Sequence, residues 1–131
     1  MSSCCVPAQP CHDPRISRRN RLALSDLDTA LQIGDLPAVI EAPLRLDRAV
    51  LRGAQGDGDG EMSDYTQVIE MSGVSARSRL RAHLYRGIAR IERGDRRGAI
   101  RDFVAVRDDA DAPTEAKREA TKRLDALDPL G

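Results

Sequence analysis

The sequence predicts an all-α protein, on three observations. Only Tyr65, Tyr85 and Phe103 among 131 residues are aromatic, and the apolar content is chiefly Ala, Leu, Ile and Val, which suits close-packed helices better than a sheet. Apolar residues recur at helical spacing, as in Leu80, Leu84, Ile88 and Ile91. A short pattern also returns with a 38-residue period: Ser25-Asp26-Leu27-Asp28-Thr29-Ala30-Leu31, then Ser63-Asp64-Tyr65-Thr66-Gln67-Val68-Ile69, then Arg101-Asp102-Phe103-Val104-Ala105-Val106-Arg107. Each copy sets an aspartate before a large apolar residue. A second echo, with a 34-residue offset, matches Ala49-Val50-Leu51-Arg52-Gly53 with His83-Leu84-Tyr85-Arg86-Gly87. Two interleaved series imply alternating helices of two kinds, a first type and a second type. At this length the chain is one domain, able to bury roughly two thirds of the surface its unfolded form exposes.

Six helical segments follow in order. The first runs from about 17 to 32 and stops at Gly34, where glycine can take the left-handed conformation that ends a helix. The second lies within 36–55. Pro37 is tolerated in its first turn and Pro43 should kink or break it, so 44–55 is its firmer part. GDGDG at 56–60 reads as a flexible loop, standing where a regular repeat would finish its first helix. On the 34-residue frame about one helical turn is missing here. The third helix covers about 61–71 before Gly73. The fourth, about 76–93, ends at Gly94. Asp95 caps the fifth, about 96–109, whose buried face is Ala99, Ile100, Phe103 and Val106. The sixth opens at Asp111-Ala112-Pro113-Thr114-Glu115, with either Asp111 or Ala112 at the cap, and carries Ala116, Ala120, Leu124 and Leu127 on one side. The order is second type, first, second, first, second, then a capping helix. A frame that makes Gly34-Asp35 the turn inside a repeat, and 20–33 a first-type helix, loses the 38-residue match.

The stretch Arg81–Phe103, RAHLYRGIARIERGDRRGAIRDF, resembles a tetratricopeptide repeat. Gly87 and Ala89 are small where two helices cross, Gly94-Asp95 makes the turn, and Ala99, Ile100 and Phe103 pack the second helix. The resemblance is close over 80–109, degenerate over 44–72 and half a repeat at 17–32. Arg90 and Arg107 depart from the apolar residues usual at their places. It implies a right-handed α-solenoid of about two and a half hairpins with a C-terminal capping helix over residues 16–131, and a protein-binding scaffold without catalysis. In such repeats the first-type helices line a concave groove. Carried onto this chain, its positions are Arg81, Leu84, Ile88, Ile91 and Glu92, joined by Asp47, Val50 and Ala54. An apolar floor of this kind suits an amphipathic helix or extended apolar segment of a partner protein. The blander account is that Leu84 and Ile88 are simply core.

Other functions find less support. Twenty-one basic residues balance twenty-one acidic ones, so no net field draws the chain to nucleic acid or an anionic membrane. The arginines at 77, 79, 81, 86, 90, 93, 96, 97 and 101 surround the fourth and fifth helices, with Glu92, Asp95 and Asp102 interspersed and no aromatic platform for bases, and read as a solvated face. Asp59, Glu61, Ser63 and Glu70 fall at calcium-loop spacing, but Asp64 replaces the glycine that the sharp turn needs. Residues 1–15 read as a disordered leader. Its Cys4, Cys5, Cys11 and His12 do not match zinc spacing, and three cysteines do not make a disulfide framework. His83 reads as a packed or partly exposed histidine. With two histidines and no nucleophile elbow or phosphate loop, the expectation is a non-enzymatic, cofactor-free and metal-free cytoplasmic adaptor that binds another protein or peptide. No apolar run reaches the ~20 residues of a membrane span. The alternatives are self-association through the half repeat at the start, a basic patch that binds nucleic acid, and a piece of a longer repeat protein.

Overall fold

The computed structural model describes residues 14–127, with the backbone alone described at Pro14, Ile16 and Ser17. Among the described residues six helices follow one another: α1 (Pro14–Leu31), α2 (Ala38–Ala54), α3 (Gly58–Glu70), α4 (Ala76–Glu92), α5 (Arg96–Arg107) and α6 (Thr114–Leu127). Among the described residues there is no strand, and each helix packs on the next, with α2 also touching α4. α1 begins at Pro14, so the last two residues assigned to the leader are helical. The remaining leader residues, with Cys4, Cys5, Cys11 and His12, lie outside the described part.

The connections set the hairpins. Gly56 and Gly94, one period apart, both adopt φ of 86°, a left-handed conformation that glycine takes without steric cost. Asp57 and Asp95 follow them as N-caps, each side chain accepting from the amide three positions on, at Gly60 and Gly98, at 3.0 Å. GDGDG is therefore not a flexible loop: Gly56 turns the chain, Asp57 caps, and Gly58 begins α3. α2 likewise runs unbroken through Pro43. That proline removes one backbone donor. Fully buried Ala42 and Leu46 on either side, and the Arg45–Glu41 ion pair at 2.7 Å across it, hold the helix together. The caps of α2, α4 and α6 fall at 37, 75 and 113. Ser75 accepts from the Ser78 amide at 3.1 Å, and the Pro113 carbonyl takes the amide of Lys117, so the cap of α6 is neither Asp111 nor Ala112.

The helix starts from α2 to α6 keep the 38-residue period, and the 34-residue echo is one helical turn out of register. α2 and α4 have 17 residues each, and connections of equal length, 55–57 and 93–95, join each to its second-type partner, so no turn is missing. The counterpart of Gly87 is Ala49, not Gly53. A shift of four positions is close to one 3.6-residue turn, so both frames place apolar residues on the same helical face, which is how the echo arises.

Two apolar clusters form the core. Leu46, Ala49, Tyr65, Val68, Val74, Ala82 and Ala89 join α2, α3 and α4; Leu80, Ala99, Phe103, Val106, Ala112 and Ala120 join α4, α5 and α6. Tyr65 and Phe103 fill matching places. A Cβ built on Gly87 would lie 2.7 Å from Cε1 of Phe103, so the ring of α5 sits directly on the α4 backbone. The Tyr65 hydroxyl donates to Glu61 at 3.0 Å, satisfying its polar tip, and burial pushes that phenol well above its usual range. Among its described side chains α1 contributes no fully buried residue.

Phe103→Ala is expected to cost about 3–5 kcal/mol in chemical unfolding. Gly87→Ala is expected to cost about 1–3 kcal/mol by crowding the ring, and a Gly87→Ala, Phe103→Leu double variant to be more stable than the sum of its single losses predicts.

Candidate functional site

Two buried carboxylates tie the first-type helices to the second. Asp64 is fully buried; Arg48 Nε and Nη2 donate to its two oxygens at 2.9 and 2.7 Å, and Arg52 Nη1 donates at 3.2 Å. Asp102, 1% exposed, is held in the same way: Arg86 Nη2 and Nε donate at 2.7 and 3.0 Å, and Arg90 Nη1 at 3.0 Å. The third neighbour differs. Arg45 Nη1 is 3.6 Å from Asp64, whereas His83 Nδ1 lies 3.0 Å from Asp102. Each central arginine also reaches back to the preceding second-type helix, Arg48 to Asp28 at 2.9 Å and Arg86 to Thr66 at 3.0 Å.

These contacts correct the reading of the arginines as one solvated face. Arg77, Arg93, Arg96, Arg97 and Arg101 are exposed, but Arg86 and Arg90 are partly buried fasteners between α4 and α5. Aspartates at 64 and 102, each preceded at the same spacing by an arginine pair, at 48 and 52 and again at 86 and 90, were a readable signal, had the opposite charges been aligned together. Asp64, the misfit of the calcium-loop spacing, is occupied by guanidinium groups. Among the described residues no group of three or more His, Cys, Asp or Glu side chains is placed to hold a metal.

The fastening has an electrostatic signature. Burial alone would raise the Asp102 carboxyl, but hydrogen bonds from His83 and Arg86 and the charges of Arg86 and Arg90 outweigh it and hold the group below the usual carboxylate range. The hydrogen bond to Asp64 moves Arg48 upward, against the lowering effect of burial. Glu61, beside Tyr65, goes the other way, raised by burial.

The surface along α2 and α4 carries two open grooves. One, of about 570 Å³, lies between Asp47, Val50 and Leu51 of α2, Ala23 and Leu27 of α1, and Arg81 and Tyr85 of α4. The other, of about 520 Å³, lies between α4 and the start of α6, with a floor of Leu80, Leu84 and Ala116 and a rim of Arg77, Arg81, Asp111 and Glu115. Arg81 belongs to both, its guanidinium 5.5 Å above the centre of the Tyr85 ring. Of the residues singled out in the sequence, Arg81, Leu84, Asp47 and Val50 thus line these grooves. Leu84 also packs against the second core cluster, as do Ile88 and Ile91, and Glu92 and Ala54 are exposed at the ends of α4 and α2. On the 38-residue register the α2 counterparts of Arg81, Leu84 and Ile88 are Pro43, Leu46 and Val50, and Leu46 is fully buried. Tyr85 and Leu27, which the sequence pattern does not mark as groove positions, also line the α1–α2 groove. Among the described residues the exposed large apolar side chains are Leu22, Ile33, Val39, Ile40 and Val50, all on or beside α1 and α2. No helix among the described residues is long and apolar enough to cross a membrane.

No family model, curated protein or solved structure matches this chain.

Because Asp102 binds its proton more weakly in the folded chain, its stabilising effect is complete above the unfolded carboxyl pKa of about 4 and is lost as pH falls below that through the lower folded value. Urea unfolding of wild type and Asp102→Asn is expected to show the variant about 3–5 kcal/mol less stable at pH 7, with a smaller loss between pH 5 and pH 3.

Proposed function

We propose that the protein is a non-catalytic adaptor, a short tetratricopeptide-like array whose first-type helices α2 and α4 receive a peptide or helix of a partner protein. The observation that carries this reading is the pair of open grooves meeting at Arg81, each with an aliphatic floor and charges of both signs at its rim. Val50 is half exposed there among the described residues. An apolar floor stabilises a ligand by burial, while a mixed rim fixes its orientation without demanding a buried unpaired charge. The buried acidic and basic side chains support the same reading. Asp64 and Asp102 are engaged by arginines inside the fold, and that leaves the grooves built chiefly from side chains suited to contact.

Affinity capture from native extract tests this with wild type and a Val50→Glu, Arg81→Glu variant. Both changes are at partly or fully exposed positions, so the variant is expected to keep wild-type helicity and unfolding behaviour while losing a partner that wild type retains. Identical partners on both baits would remove the grooves as the site.

A further inference from the structure

α1 is a second-type helix on which the described residues place no first-type partner of its own. In the two complete hairpins the receiving face of the second helix is built alike. It carries Asp64, Tyr65 and Val68 on α3, and Asp102, Phe103 and Val106 on α5, all buried, with the aspartates held by arginines of the preceding helix. At the same register α1 carries Asp26, Leu27 and Ala30. Here the aspartate is exposed and the apolar pair only half-buried, and Leu27 forms a wall of the groove beside α2. α1 thus presents an interface of the kind the other hairpins close.

The chain itself shows what closes it. α2 and α4 bring Arg48 and Arg86 to the aspartate, set Ala49 and Gly87 next in sequence, and place Arg52 and Arg90 one turn on. The last arginine passes over a glycine: a Cβ on Gly60 would stand 2.9 Å from Cδ of Arg52, and one on Gly98 2.8 Å from Cδ of Arg90. α1 has Leu22 at that place, 60% exposed. An arginine there would meet an apolar side chain in place of open backbone, so an apolar residue is the better complement. The positions that stand to Asp26 as the arginine pairs stand to Asp64 and Asp102 are Pro10 and Pro14, and the segment 1–13 contains no Arg or Lys.

We propose that α1 receives an α-helix of another protein bearing Arg-Ala-x-x-Leu, which stands in for a first-type helix: its arginine forks onto Asp26, its alanine faces Leu27, and its leucine covers Leu22. This face adjoins the α1–α2 groove at Leu27 but is separate from it, since neither Asp26 nor Leu22 lines that groove. Complementary charge selects it, since Asp26 stands where two other aspartates of this chain each take a bidentate guanidinium.

The probe is a fluorescein-labelled peptide with the sequence of residues 76–92 carrying Gly87→Ala and Arg90→Leu, titrated with the full chain by anisotropy. The expected result is saturable binding, weakened at least about tenfold by Asp26→Asn in the chain and also weakened when the peptide keeps its native Arg90. Asp26 is exposed, so the variant is expected to unfold as wild type does. Absence of saturable binding, or equal binding to the Asp26→Asn chain, overturns the proposal. So does a dimer of the chain, seen in sedimentation, that Asp26→Asn dissociates and the peptide does not displace, because the face then belongs to a second copy. The wider groove reading fails separately. A partner lost on Val50→Glu, Arg81→Glu but kept on Asp26→Asn upholds the groove and sinks the α1 proposal, whereas peptide binding that depends on Asp26, beside partners indifferent to the groove variant, does the reverse.

Discussion

The arginine forks on Asp64 and Asp102 are the constraint from which the rest of the packing follows. Taking a carboxylate fully out of water is costly unless opposite charge and hydrogen bonds surround it, so each aspartate fixes where its two arginines must be. That in turn fixes the axial offset of α2 on α3 and of α4 on α5. With the offset set, Ala49 and Gly87 fall where Tyr65 and Phe103 need room, and Gly60 and Gly98 fall where the outer arginines must pass. Apolar burial supplies most of the driving force, but apolar contacts tolerate sliding by a turn. The ion pairs do not.

The same arginines couple one hairpin to the previous one. Arg48 and Arg86 each direct two donors to the aspartate of their own hairpin and a third to the helix before it, at Asp28 or Thr66. A guanidinium has five donors in a planar fork, and a lysine at either position could hold the carboxylate but not both helices in this geometry. The chain has nineteen Arg and two Lys. For Arg48, Arg52, Arg86 and Arg90 the fork geometry gives a specific reason for arginine.

Helix number, order and most boundaries were legible in the sequence because glycine turns, aspartate caps and apolar stripes are local signals. Asp95, Gly94 and the face through Phe103 are examples. The register between α2 and α4 was not legible from apolar residues, since a shift of four keeps the stripe intact; only the paired charges break that degeneracy. GDGDG misled because composition suggested flexibility, although Gly56 and Asp57 repeat the chemistry of Gly94 and Asp95. Arg81, Leu84, Asp47 and Val50 line the two grooves, Leu84 with one side on the core. Tyr85 and Leu27 were missed because they complete a groove across helices distant in sequence, and Ile88 and Ile91 pack inward against the cluster that joins α4, α5 and α6.

The shared period of caps, turns, rings and forks gives the molecule a natural unit of length. Removing or adding one whole period within α2–α5 leaves the aspartates of α3 and α5 opposite their arginine pairs and the starts of those helices on their caps. A shorter insertion or deletion within a helix rotates the fork off its carboxylate by about 100° for each position gained or lost. Growth and shrinkage of such a chain are therefore quantised, and the quantum is set by charge pairing, with the oil-like contacts following.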